Sequence, residues 1–241
     1  MIKPMSELLI IKNITREGPG LLEGVLKDEG VIFDVVDLDK SDALPKLNDY
    51  KALVVLGGPD SANDETDKMT TELAYIRQAL AAHKPYLGIC LGLQTLVKAA
   101  GGNVVKGAKE VGFIDQDGNQ HTVQVTDEAE DDPLLAGLPK ELDVFQLHGE
   151  TVELAPDMTL LASGKFCQNQ IIKVADRAYG IQSHFELTPE MLSIWAAQDP
   201  DLVPIGNTKL QADFAAIEQS YKNIGETLLK NFLRIAGLTV K

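Results

Sequence analysis

Two cysteines occur in the 241-residue chain, and Cys90 sits in a setting suited to nucleophilic attack. The segment Pro85-Tyr-Leu-Gly-Ile-Cys90-Leu-Gly-Leu-Gln94 runs a short apolar strand directly into a helical pattern, with Gly88 two residues before the cysteine and Gly92 two after. A sharp strand-to-helix turn crowds its neighbours, so small flanking residues are needed, and the nucleophile is left projecting above the sheet edge. At the first turn of a helix the sulfur also meets unpaired backbone N–H groups and the positive end of the macrodipole, which should make it unusually nucleophilic. Cys167, in Lys165-Phe-Cys-Gln-Asn, has neither glycine frame nor helix start and reads as a structural thiol. Two cysteines are too few for a disulfide framework and lack zinc-site spacing.

A cysteine acyl-transfer site also needs a base, a group that orients the base, and donors for the oxyanion. Two of the four histidines lie in His-x-Glu pairs, His148-Gly-Glu150 and His184-Phe-Glu186. In an extended segment residues two apart share a face, so either glutamate could lie beside its histidine, and spacing alone leaves the choice open. Context favours His184. A strand-like Ala178-Tyr-Gly-Ile-Gln-Ser precedes it and a helix start follows, which puts the pair at a strand's C-terminal end, where open α/β sheets bind ligands. His83 and His121 lie in polar stretches and are given no role. Gly57-Gly58, at the end of another strand, supplies N–H groups free of side chains, and the Leu91 N–H just past the nucleophile supplies a second donor. Carboxylate and imidazole from His148, Glu150, His184 and Glu186 would suit a divalent ion, but nothing in their spacing singles out a metal site, and no metal or cofactor is expected.

Positioning these residues requires a particular set of elements. Short apolar runs at 8–11, 31–38, 52–56 and 85–89 alternate with helical patterns around 21–26, 69–80 and 91–100, which implies a largely parallel sheet covered on both sides. From Val104 to Gly180 short alternating strands (121–125, 160–162, 170–174) separated by Gly, Pro and Asp turns predict an antiparallel excursion. Thr188-Pro189-Glu190 is a helix start, residues 198–208 read as an acidic connector, and Leu210, Phe214, Ile217, Tyr221, Ile224, Leu228 and Phe232 trace a long one-sided helix expected to pack on the chain's own core. The whole chain, 1–241, is expected to be one domain of open, largely parallel α/β architecture with 199–241 as a C-terminal helical extension. A formal net charge of −14 argues against nucleic acid and anionic membrane surfaces as partners. With no apolar run of membrane length and no signal peptide, the expected location is the cytoplasm.

Taken together, Gly-Ile-Cys90-Leu-Gly-Leu-Gln94, the Leu-Gly-Gly-Pro59 turn and Gly-Ile-Gln-Ser-His184-Phe-Glu186 resemble, in the right order, three signature blocks of class I glutamine amidotransferases. Lys109-Glu110-Val-Gly112 and Phe145-Gln-Leu-His148-Gly149-Glu150 are similar to blocks of the branch related to the amidotransferase half of GMP synthase. The resemblance implies a flavodoxin-like fold and a Cys90-His184-Glu186 triad, with Gly58 and Leu91 as oxyanion donors. It also implies that Gln94 and the backbone of Gly149 and Glu150, with Gly57 nearby, hold the glutamyl substrate. Two departures stand out: the usual His-Pro-Glu reads His184-Phe185-Glu186, and Ser183 replaces a bulky aromatic.

The implied activity is hydrolysis of the glutamine side-chain amide through a cysteine thioester, releasing ammonia to an acceptor or to a synthetase partner. No P-loop or second catalytic domain is present, so a stand-alone hydrolase of γ-glutamyl peptides or conjugates is the alternative. A binding protein that kept only the fold is a further reading. A dinucleotide-binding reading of Gly18-Pro-Gly20-Leu-Leu-Glu-Gly24, with Asp37 as ribose ligand, is weak because the spacing is wrong and Pro19 lacks the N–H a phosphate would use.

Overall fold

Residues 6–239 are described by the computed structural model. The short apolar runs become β1 (Leu8–Lys12), then, after α1 (Leu21–Asp28), β2 (Phe33–Asp37) and β3 (Ala52–Val55). They are followed by α2 (Asp67–Ala81), β4 (Tyr86–Ile89) and α3 (Leu91–Ala99). The excursion supplies β5 (Asn103–Gly112), β6 (Thr122–Val125), β7 (Glu141–Asp143), β8 (Gln146–Glu153), β9 (Thr159–Gly164) and β10 (Ile171–Ala175). The chain then returns through β11 (Ala178–Ile181), α4 (Pro189–Gln198) and α5 (Asn207–Ile235). Among the described residues one nine-stranded sheet runs β2-β1-β3-β4-β11-β10-β9-β6-β7, and β5 and β8 form a separate ladder. Pairing is parallel from β2 to β11 and antiparallel beyond it.

Why the central strands read as unbroken apolar runs is plain from their packing, since both faces are buried. Leu8 and Ile10 of β1 face one core with Leu22, Val25 and Leu26 of α1 and Leu228, Phe232 and Leu233 of α5. Leu9 and Ile11 face the other, with Met69, Leu73 and Ile76 of α2 and Leu93, Leu96 and Val97 of α3. A third cluster joins Phe113, Phe145, Trp195, Phe214 and Tyr221 over the end of the sheet. Helix α5 therefore packs on the chain's own core, as its one-sided stripe predicts. Helix α4 starts where expected, the Thr188 hydroxyl accepting a hydrogen bond from the Met191 N–H at 3.3 Å, and at α2 the Thr66 hydroxyl accepts one from the Met69 N–H at 3.2 Å.

Strands β5, β7 and β8 lie where the sequence gives no strand pattern. The β5–β8 register shifts between Lys106 and Glu110, which breaks the two-residue period on which a sequence reading depends. Among the described residues no helix is long and apolar enough to cross a membrane.

Candidate active site

Helix α3 begins immediately after β4, and the turn between them is tight. Cys90 has φ 52° and ψ −107°, a conformation that side-chain-bearing residues rarely adopt and that persists only where surroundings enforce it. Those surroundings are explicit. The Cys90 N–H donates to the Ile181 carbonyl at 2.7 Å, tying the elbow to β11. A Cβ at Gly88 would stand 2.2 Å from the Gly92 carbonyl oxygen, and one at Gly92 would stand 2.1 Å from that of Val55. Both glycines are thus demanded by close backbone approach. The Cys90 thiol donates weakly to the Leu147 carbonyl (3.7 Å) and accepts from the Gln182 amide (3.8 Å).

His184 follows β11 and is fully covered. Its Nδ1 lies 2.7 Å from Glu186 Oε1, while Glu186 Oε2 accepts from the Phe185 N–H at 3.0 Å. Burial opposes charge on the ring, yet Glu186 and the Cys90 sulfur outweigh it and hold the imidazole well above its usual pKa. The Nε2 atom makes no well-aligned hydrogen bond and remains free for a reacting group. The segment is clamped from outside: the Tyr221 hydroxyl on α5 donates to the His184 carbonyl at 2.9 Å and accepts from the Leu187 N–H at 3.3 Å. Trp195 of α4 packs edge-on against the His184 ring, centroids 5.1 Å apart. Phe185 replaces the proline of the familiar motif with a consequence for the site, because a proline there has no N–H to give Glu186.

A cavity of about 480 Å³ opens above the elbow, and Cys90, His184, Gly58, Gln94, Gly149 and Glu150 all line it. Gly57 sits beside both His184 and Cys90, a Cβ there falling 3.2 Å from His184 Cε1 and 3.4 Å from Cys90 Cβ. Gly58 abuts Leu91, whose Cδ2 would lie 3.3 Å from an added Cβ, so the two residues expected to supply oxyanion donors are neighbours. The Gln94 amide donates to the Glu150 carbonyl at 3.2 Å and to Gln182 Oε1 at 3.4 Å, and the Glu150 carboxylate accepts from the Ser61 hydroxyl at 2.9 and 3.1 Å.

Three cavity or near-site groups escape a sequence reading: Ser61, Gln182 and, above all, Glu17. The Glu17 side chain, in the loop after β1, reaches so close to Gly57 that a Cβ there would lie 2.5 Å from its Oε2. Desolvation by burial raises its pKa from 4.5 to about 7, the nearby His184 pulling down and Glu186 pushing up. Its place at the C-terminal edge of a parallel strand was the available signal.

The two His-x-Glu pairs separate in space. His148 does not meet Glu150; its Nε2 faces Glu110 Oε2 across the β5–β8 ladder at 3.4 Å. His148, Glu150, His184 and Glu186 do not form a ligand group. His121, given no role on its polar context, is buried, with Nδ1 3.5 Å from Glu110 Oε1. The glycine loop before α1 is not a phosphate cradle: the Leu21 N–H donates to the Glu186 carbonyl at 2.8 Å, and a Cβ at Gly20 would strike that oxygen at 1.9 Å.

The model of the family described as "Glutamine amidotransferase class-I" matches residues 21–193. The glutamine amidotransferase-like protein YfeJ of Salmonella typhimurium is 30% identical over 152 residues, 61% of each chain. A subunit of the glutamine-hydrolyzing GMP synthase of Natronomonas pharaonis is 33% identical over 165 residues, 67% of this chain and 78% of that one. The chain spans less than a third of the full-length GMP synthases it matches. The crystal structure of a glutamine amidotransferase from Methylobacillus flagellatus superposes with a TM-score of 0.83 at 28% identity, covering 96% of this chain and 95% of that one. The chain belongs to the class I glutamine amidotransferase family.

Proposed function

We propose that the chain hydrolyses the side-chain amide of glutamine through a thioester on Cys90. The thiolate attacks the γ-carbonyl carbon, and the oxyanion forms between the Gly58 and Leu91 N–H groups. The C–N bond breaks as His184 protonates the leaving nitrogen, so ammonia departs and a γ-glutamyl thioester remains. His184 then takes a proton from water, hydroxide adds to the thioester, and glutamate leaves with Cys90 restored. Glu186 orients the imidazole and stabilises its charged form. Gln94 and the Gly149-Glu150 backbone receive the amino-acid end of the substrate, with Gly57 leaving room beside the scissile amide. The enzyme works in the cytoplasm as one domain and passes ammonia to a synthetase partner, as the naming of several relatives as separate GMP synthase subunits suggests.

The observation that carries the reading is the convergence of a strained cysteine elbow and a buried, Glu186-paired His184 on one cavity. A second reading, a self-sufficient hydrolase of γ-glutamyl peptides or conjugates, draws on the cavity's volume of about 480 Å³, which has room for a leaving group larger than ammonia. Glutamate release from glutamine and from γ-glutamyl peptides, with wild type and Cys90→Ala side by side, separates them. Cys90-dependent turnover of glutamine, alone or with a synthetase, supports the first; preference for peptides supports the second; release that survives Cys90→Ala refutes both.

A further inference from the structure

At the β5–β8 ladder, Glu110, His148 and Cys167 bring a carboxylate oxygen, an imidazole nitrogen and a thiol within 4.8 Å of one another, all buried. They come from three separate segments: Glu110 from β5, His148 from β8, and Cys167 from the turn between β9 and β10. The polar partners around them do not satisfy the group. Glu110 Oε2 and His148 Nδ1 are buried without any hydrogen bond. The contact between Glu110 Oε2 and His148 Nε2 is 3.4 Å, and that between Glu110 Oε1 and His121 Nδ1 is 3.5 Å, both long for a charge-assisted hydrogen bond. His148 Nε2 also lies 3.1 Å from Gln146 Oε1, and Cys167 Sγ lies 3.1 Å from the Thr151 hydroxyl and 3.9 Å from the Asn169 carbonyl oxygen. A carboxylate oxygen buried without a hydrogen-bond donor, as Glu110 Oε2 is, is costly.

We infer that Glu110, His148 and Cys167 form a binding site for a zinc-class divalent cation. The donor set argues for that class. One oxygen, one imidazole nitrogen and one sulfur match the ligands of zinc and cobalt(II), whereas magnesium and calcium take oxygen alone. A carboxylate and a thiolate neutralise the two positive charges of the ion. Bonds of about 2.0–2.3 Å set donors roughly 3.3–3.6 Å apart around a tetrahedral centre. The observed 3.4 Å between Glu110 and His148 already fits, and Cys167, on a turn, closes the remaining distance. His121, facing the other Glu110 oxygen, steadies the carboxylate, as partners of ligating groups commonly do. A second cavity of about 290 Å³ reaches the cluster from the side of Glu110 and His121, although His148 and Cys167 do not line it. His148 immediately precedes Gly149 and Glu150 on the wall of the main cavity, so an ion here would pin the strand that forms part of the candidate substrate site.

The site rests on none of the proposed catalytic residues, and its test is independent of turnover. Full-length protein stripped with a chelator is titrated with cobalt(II) and followed by absorption spectroscopy. One equivalent per chain should bring up an intense sulfur-to-cobalt charge-transfer band, removed by one equivalent of zinc. The band should survive in Cys90→Ala and vanish in Cys167→Ser, and Glu110→Gln should weaken cobalt binding at least tenfold. Circular dichroism establishes that each variant is folded; should Cys167→Ser fail to fold, the band in Cys90→Ala alone decides, because Cys167 is then the sole thiol. Absence of the band in stripped wild type and Cys90→Ala, or a band that follows Cys90, overturns the inference.

Discussion

At 184–186 a histidine turns onto the glutamate two residues later at 2.7 Å; at 148–150, with identical spacing, the histidine faces Glu110 on a neighbouring strand and the glutamate reaches Ser61. The difference lies in what surrounds each segment. His184 leaves a parallel strand inside the sheet, beneath Trp195 and with its carbonyl held by Tyr221, and among the described residues its only carboxylate within hydrogen-bond reach is Glu186. His148 lies on a two-stranded ladder, where an opposing side chain competes with the neighbour on its own strand. The His-x-Glu spacing is therefore permissive, and the adjoining element selects the partner.

That contrast can be broken experimentally. The largest expected effect comes from Glu186→Gln, which leaves His184 without its anionic partner and should lower glutaminase kcat roughly 10²- to 10⁴-fold, measured as glutamate release. Glu150→Gln, the same change in the other pair, should alter KM more than kcat, because Glu150 lines the cavity where the proposed mechanism seats the amino-acid end of the substrate. A kcat loss in Glu150→Gln equal to that in Glu186→Gln would erase the distinction.

Next in size is the stability effect of Glu17. Its folded pKa is raised from 4.5 to about 7, so the native state holds a proton that the unfolded chain gives up earlier. Its stabilising contribution is full below pH 4.5 and is lost as pH rises through about 7, a change of roughly 3 kcal/mol at most. Glu72, likewise raised by burial to about 7, adds a change of the same sign. Urea unfolding between pH 5 and pH 8 should show wild type weakening over this range and Glu17→Gln weakening by less. Parallel pH profiles for the two proteins would count against a buried, protonated Glu17.

Phe185→Pro tests the extra donor on Glu186. Removing an N–H that serves a carboxylate costs about 1.5–3 kcal/mol, and kcat should fall roughly tenfold, whereas Phe185→Leu, which retains the N–H, should stay near wild type. Equal losses in the two variants would trace the effect to packing of the ring. The smallest change is expected from Tyr221→Phe, which removes the hydroxyl bridging His184 and Leu187: about 1 kcal/mol of unfolding free energy, measured by denaturant titration.

The sequence is legible where structure is locally coded. The apolar runs of β1, β3 and β4, the Thr188-Pro189 helix start and the glycine frame of Cys90 all act through near neighbours, so residue types and spacing reveal them. The legibility fails where long-range pairing decides. Strand β5 is interrupted by a register shift, and most of its residues are not buried, so no period marks it. Glu17 and Gln182 reach the Cys90 region only because β1, β3, β4 and β11 are brought side by side, and His121 is buried against Glu110 despite its polar sequence context. His148 likewise finds Glu110 only once the ladder forms.

The most direct test of Cys90 as nucleophile is intact-protein mass spectrometry after incubation with an electrophilic glutamine analogue, a diazoketone in place of the side-chain amide. One adduct per chain, mapped to Cys90, blocked by excess glutamine and absent from Cys90→Ala, is the expected result. No adduct, or an adduct on Cys167, would contradict it.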